Sequence, residues 1–115
     1  MSPVCFDNFF AIGTVITSPN YPRSYRSNYR NTKTLRAALG KVLTFQFTAF
    51  NLEAEDSCDF DYLRITDGDG TVLMDKECGS SLPPTIRSRS NVVHVFFKTD
   101  GSQERSGWRI IYAEN

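Results

Sequence analysis

Histidine is almost missing from this sequence. His94 is the single copy, and the three cysteines, Cys5, Cys58 and Cys78, form no CxxC pair. Zinc sites draw on these two residue types at short spacings, so that class of site has no support. A serine hydrolase needs a histidine beside a nucleophile, and no serine stands at a suggestive spacing from His94. The expectation is a protein that is not an enzyme. Net charge is also lacking, with 13 basic and 13 acidic side chains. That balance argues against a nucleic-acid partner, which usually demands a basic excess. No stretch approaches the roughly 18 apolar residues of a membrane-crossing helix. The N-terminal MSPVCFDNFF has neither the basic region nor the long apolar run of an export signal, so a secreted form is expected to have had its leader trimmed. No N-x-S/T acceptor for N-glycosylation occurs.

A sustained 3.6-residue apolar period is absent as well, and what replaces it is alternation. Residues 41–50 give the cleanest case, with Leu43, Phe45 and Phe47 on one face and Thr44, Gln46 and Thr48 on the other. Phe50 and Leu52 extend the apolar signal. Val93, Val95 and Phe97 oppose Val92, His94, Phe96 and Lys98, so that strand is expected to be partly buried on both sides. Trp108, Ile110 and Tyr112 form a last inward face, and Leu35, Ala37 and Leu39 an earlier one before Gly40. Residues 9–18 suggest an edge strand interrupted by Gly13. Pro19-Asn20-Tyr21-Pro22 forces a turn, 23–34 reads as a polar loop running into a strand, and 79–91 reads as a long connection with a double proline. Asp67–Gly70 marks a hairpin between 61–66 and 71–74. Many short strands separated by Pro/Gly turns in 115 residues predict one all-β domain, a sandwich of two antiparallel sheets around an aromatic core.

The stretch 51–68 stands apart. Glu53, Glu55, Asp56, Asp59 and Asp61 crowd around Cys58 at the mouth of an apolar strand. Crowded carboxylates raise one another's pKa unless positive charge lies between them. Cys58 and Cys78 flank a strand-turn-strand unit, a comfortable loop for a disulfide contributing roughly 3 kcal/mol on the chain-entropy account. Three reduced cysteines in an intracellular protein are the alternative, and Cys5 is left over in either case. A hard cation suits the acids, because calcium takes six to eight oxygens and tolerates ligands from distant loops. If the strand from Asp61 neighbours the strand ending at Phe97, then Glu53, Asp61 and Asp100 meet at one end of the sandwich. A solvated acidic loop is the alternative.

The order and spacing of several motifs resemble those of the CUB domain family over nearly the whole chain. They are SPNYP at 18–22, Phe50-x-Leu52-Glu53, Cys58-x-Phe60-Asp61-Tyr62, Asp67-Gly68, Cys78-Gly79, Asn91 to Phe97 in alternation followed by Asp100, and Gly107-Trp108 with Tyr112. The resemblance implies a jelly-roll-like β-sandwich spanning 3–115, secreted or in the extracellular part of a larger protein, with Cys58 paired to Cys78. In the calcium-binding subset of that family the matching positions coordinate the ion. Here they are Glu53, Asp61, Asp100, the Ser102 carbonyl and the Gln103 amide, with glutamine where asparagine is usual. Tyr21 matches the tyrosine whose hydroxyl braces the acidic ligands. Two features depart from the pattern: the partner expected for Cys5 falls near Asn31, followed by Lys33 in place of tryptophan, and Phe60 replaces a common tyrosine.

By that resemblance the chain is a non-catalytic, calcium-dependent recognition module. Glu53, Asp100 and Ser102 would accept a lysine or arginine side chain of a protein partner. The alternatives are a glycan-adhesive module using Tyr25, Tyr29 and the arginines of 23–30, or a structural, self-associating unit of a larger extracellular protease or receptor.

Overall fold

The computed structural model describes residues 13–101 and 105–115. The chain forms eight strands: β1 (Thr14–Thr17), β2 (Arg30–Arg36), β3 (Leu43–Asn51), β4 (Tyr62–Asp67), β5 (Val72–Glu77), β6 (Ile86–Arg87), β7 (Val92–Lys98) and β8 (Gly107–Glu114). They build two four-stranded sheets, ordered β1-β8-β3-β6 and β2-β7-β4-β5, with every pairing antiparallel. This is the all-β sandwich of two antiparallel sheets expected from the alternating pattern, in the jelly-roll-like form that the resemblance implies.

Side-chain alternation decides which face of each strand is buried. On β3, Leu43, Phe45 and Phe47 point into the core, and so do Phe50 and Leu52. An odd-numbered set cannot share a face with an even-numbered one in a regular strand. A bulge between Phe47 and Ala49 absorbs the mismatch by leaving Thr48 as the extra residue. On β7, Val93, Val95 and Phe97 are buried, and Val92, His94, Phe96 and Lys98 are half-buried on the outer face. Phe97 lies at the centre of the core, edge-on to Trp108 at 5.8 Å and to Tyr25 at 5.3 Å. Each such side chain contributes about 1.5–3 kcal/mol through burial.

Three expectations need correction. Leu39 belongs to no inward face; it follows the end of β2 and is 90% exposed. The connection 79–91 contains β6, which pairs Ile86 with Phe45 and Arg87 with Thr44. Two residues are too few to leave a period in the sequence. Tyr25, which the glycan reading needs at the surface, is 2% exposed, because the loop folds its ring onto Phe97. The edge strand near the N-terminus is present as β1 on β8; residues 9–12 and Cys5 lie outside the described residues.

At the end of the sandwich remote from Asp61, the carboxylate of Asp67 is buried. Burial alone would raise its pKa. Hydrogen bonds from the Ser90 hydroxyl and the Arg89 and Ser90 backbone N–H groups outweigh this and hold it below the usual carboxylate range. Asp67 thereby ties the β4–β5 hairpin to the loop entering β7.

Gly107 opens β8 with φ of 96°, and a Cβ there would lie 1.8 Å from the Ser18 hydroxyl oxygen. That hydroxyl accepts the Trp108 N–H at 3.0 Å. Gly40 also has positive φ, 84°, but nothing lies within 4 Å of its would-be Cβ. Gly40→Ala is expected to cost about 1–2 kcal/mol of backbone strain. Gly107→Ala is expected to cost distinctly more, since the clash adds to the strain. Urea unfolding of both variants checks the order, and equal midpoints would contradict it.

Candidate acidic metal centre

Three separate stretches bring their carboxylates together. Glu53 follows β3, Asp61 precedes β4 and Asp100 follows β7. Their ligand oxygens lie within 4.8 Å of one another. The strand register does this: Tyr62 pairs with Lys98, so the residues just outside that pair, Asp61 and Asp100, are forced to the same end. The Asp100 N–H donates to Asp61 Oδ1 at 2.8 Å. Glu53 is held from the other sheet, because Leu52 and Gly79 exchange backbone hydrogen bonds at 2.9 and 3.2 Å. Beside them the disulfide Cys58–Cys78, with its Cα atoms 5.5 Å apart, closes the acidic loop.

The hydroxyl that braces the cluster belongs to Tyr25, not Tyr21. Tyr25 donates to Asp61 Oδ2 and accepts the Glu53 N–H at 3.2 Å. The SPNYP match led to a tyrosine four residues early. Tyr21 lies in the turn and donates its backbone N–H to the Ser18 carbonyl at 3.3 Å. No spacing marks Tyr25 in the sequence. Its placement comes from Thr99, which is buried and fastens the loop. The Thr99 hydroxyl donates to the Arg26 carbonyl and accepts the Tyr29 N–H, each at 2.8 Å. The Asn28 N–H adds a bond to the Asp100 carbonyl at 2.7 Å.

Two of the remaining acids of the 53–61 stretch have other partners. Glu55 accepts the N–H groups of Ser57 and Asp59 and shapes the loop. Asp59 pairs with Lys76 at 2.7 Å. Asp56 is exposed. Ser102 and Gln103 lie outside the described residues. With Tyr25 buried, the glycan reading loses one of its two aromatic side chains.

At an effective dielectric of about 20, two full charges 4.8 Å apart repel by about 3.5 kcal/mol. Three such pairs rival the whole stability of a small domain. Burial, followed by the charges of Asp100 and Asp61, raises the Glu53 pKa, and Arg105 offsets part of this. Burial also raises Asp61, although the Tyr25 hydroxyl and the Asp100 N–H favour its ionised form. Burial and the bond to Asp61 push the Tyr25 hydroxyl well above its ordinary value, so it stays a donor. Glu53 Oε1 is buried and accepts no hydrogen bond from the described residues.

A carboxyl whose pKa is higher in the folded than in the unfolded chain stabilises the fold most fully below its unfolded pKa. That contribution is lost as pH rises through the folded value. In chelator, Glu53→Gln is therefore expected to melt above the parent at pH 7, and the gap should close below about pH 4. Thermal melts across that range check it; a gap independent of pH would contradict it.

The family model described as "CUB domain" matches residues 5–112. Cubilin of Rattus norvegicus is 37% identical over 112 residues, covering 96% of this chain and 3% of that protein. The crystal structure of the MASP-1 CUB2 domain bound to Ca2+ superposes with a TM-score of 0.77 at 34% identity, covering 85% of this chain and 88% of that one. The full extracellular region of zebrafish Gpr126/Adgrg6 gives 0.80 at 30% identity, covering 88% of this chain and 13% of that one. The chain thus spans a small part of the larger relatives and nearly all of the single solved domain. No helix among the described residues is long and apolar enough to cross a membrane. The chain belongs to the CUB domain family, whose members are extracellular protein-interaction modules of larger proteins.

Proposed function

We propose that residues 3–115 form one calcium-dependent recognition module, whose ion-ordered acidic rim accepts a lysine or arginine side chain of a protein partner. The observation that carries this reading is the meeting of Glu53, Asp61 and Asp100 within 4.8 Å, with one buried Glu53 oxygen accepting no hydrogen bond from the described residues. Ligands on opposite sides of one calcium ion, at bond lengths of about 2.4 Å, stand about 4.8 Å apart, so the cluster has the dimensions of one coordination sphere. The donor set is all oxygen, which suits calcium and excludes a preference for softer metals. The Ca2+ in the MASP-1 CUB2 structure supports the same reading.

Glu53, Asp61 and Asp100 would hold the ion, joined by the Ser102 carbonyl and the Gln103 amide. Calcium, when bound, supplies the positive charge that lets all three acids ionise together. Tyr25 keeps Asp61 and the Glu53 backbone in register. Glu53 and Asp100 keep oxygens for a partner's cation, with the Ser102 hydroxyl as a third acceptor. A rim fixed before the encounter loses little freedom on binding, which favours one well-placed side chain over a broad contact.

Calorimetric titration is expected to give one calcium ion per chain in the parent and no signal in Asp100→Asn. Calcium at about a hundred times its Kd should raise the Tm by roughly 10 °C. A lysine-containing partner peptide should lose binding in excess EDTA and on raising salt. Unchanged affinity in EDTA would remove the ion from recognition.

A further inference from the structure

The outward positions of β2, β7 and β4 form one face of the sandwich, and none of them carries a carboxylate. The register sets Arg30, Lys98 and Tyr62 in one row across the strands, and Thr32, Phe96 and Arg64 in the next. Arg36 closes the far end of β2, six residues from Arg30 and so about 20 Å away. Acids border the face: Asp100 lines a hollow with Arg30 and Lys98, and Asp69 lines one with Arg36 and His94. Asp75 on β5 lies 3.4 Å from Arg64, and Asp59 in the loop before β4 is bound by Lys76. Arg30, Arg36 and Lys98 make no ion pair among the described residues. The chain has no net charge, so this face concentrates cations that composition alone conceals.

The cations are also positioned. Tyr62 and Phe96 lie ring to ring at 5.8 Å. The Arg30 guanidinium stands 5.9 Å from the Phe96 centroid, and the Lys98 and Lys76 ammoniums stand 5.8 and 5.3 Å from that of Tyr62. Lys98 further donates to the Asp59 carbonyl at 2.7 Å. Cation–π contacts limit the rotamers of these long side chains, so less freedom is lost when an anion arrives. We infer that this face binds a sulfated polysaccharide chain of the extracellular matrix. Sulfate esters are always ionised, and their oxygens match the fork of a guanidinium. Cations spread over about 20 Å of sheet suit an extended polymer more than one terminal acid. The extracellular setting supplies sulfated chains rather than nucleic acid.

The inference does not depend on the calcium reading, and the test separates the two. Binding of a heparin-derived oligosaccharide of defined length is measured by calorimetry in EDTA over a series of salt concentrations. The parent should bind at near-physiological salt, and Glu53→Gln should bind equally. Arg30→Ser with Arg36→Ser should weaken binding at least tenfold and reduce the slope of log K against log salt by about two, one per cation. Arg30→Lys with Arg36→Lys should retain most of the salt slope, and the arginine variants should match the parent in thermal melting. Three results would overturn the inference. These are undiminished binding by the double serine variant, equal binding of chemically desulfated heparin, or equal binding of a polyglutamate of matched charge, which would assign the face to acidic peptides.

Discussion

Carboxylates repel, and this chain holds three of them within 4.8 Å at one end of its sandwich. Much of the local architecture answers that constraint. The disulfide and the Leu52–Gly79 bridge hold Glu53 from one sheet, while the β4–β7 register delivers Asp61 and Asp100 from the other. Tyr25 spans the two by bonding Asp61 and the Glu53 backbone at once. Its ring is fixed in turn by Phe97, the residue on which the core aromatics converge. Core packing and site geometry are therefore one problem here. The hydroxyl reaches the acids because the ring fills the core.

The three clustered acids and the outward cations of β2, β7 and β4 occupy different parts of the surface. The acids gather where strands end, at the rim. The cations stand on the outward positions of β2, β7 and β4, where alternation sends every second residue away from the core. Asp59 marks the boundary, binding Lys76 through its carboxylate and Lys98 through its carbonyl. A zero net charge would have suggested an electrostatically featureless protein. Strand register turns the same composition into two distinct fields.

The strands that carry a long alternating pattern were legible in the sequence. Those on β3, β7 and β8 appear where Leu43–Phe47, Val93–Phe97 and Trp108–Ile110 alternate. Even the bulge left a trace, as the shift from odd to even apolar positions between Phe47 and Phe50. The three acids were legible through their placement beside strand ends and Cys58. What escaped depends on contacts distant in sequence. Tyr25 sits in a polar loop, and only its packing on Phe97 and the tethering by Thr99 reveal its role. β6 is too short to show a period, and Leu39 continues the pattern of β2 beyond the point where the strand stops. Glu55 and Asp59 crowd the same stretch, but Glu55 caps backbone N–H groups of its own loop and Asp59 pairs with Lys76 on β5.

Crystals grown with calcium and measured for anomalous scattering would test the central claim most directly. One peak is predicted, within bonding distance of oxygens from Glu53, Asp61 and Asp100, with the Tyr25 hydroxyl still on Asp61. The same crystals with no peak at that end of the sandwich, or with the three carboxylates turned apart, would contradict it.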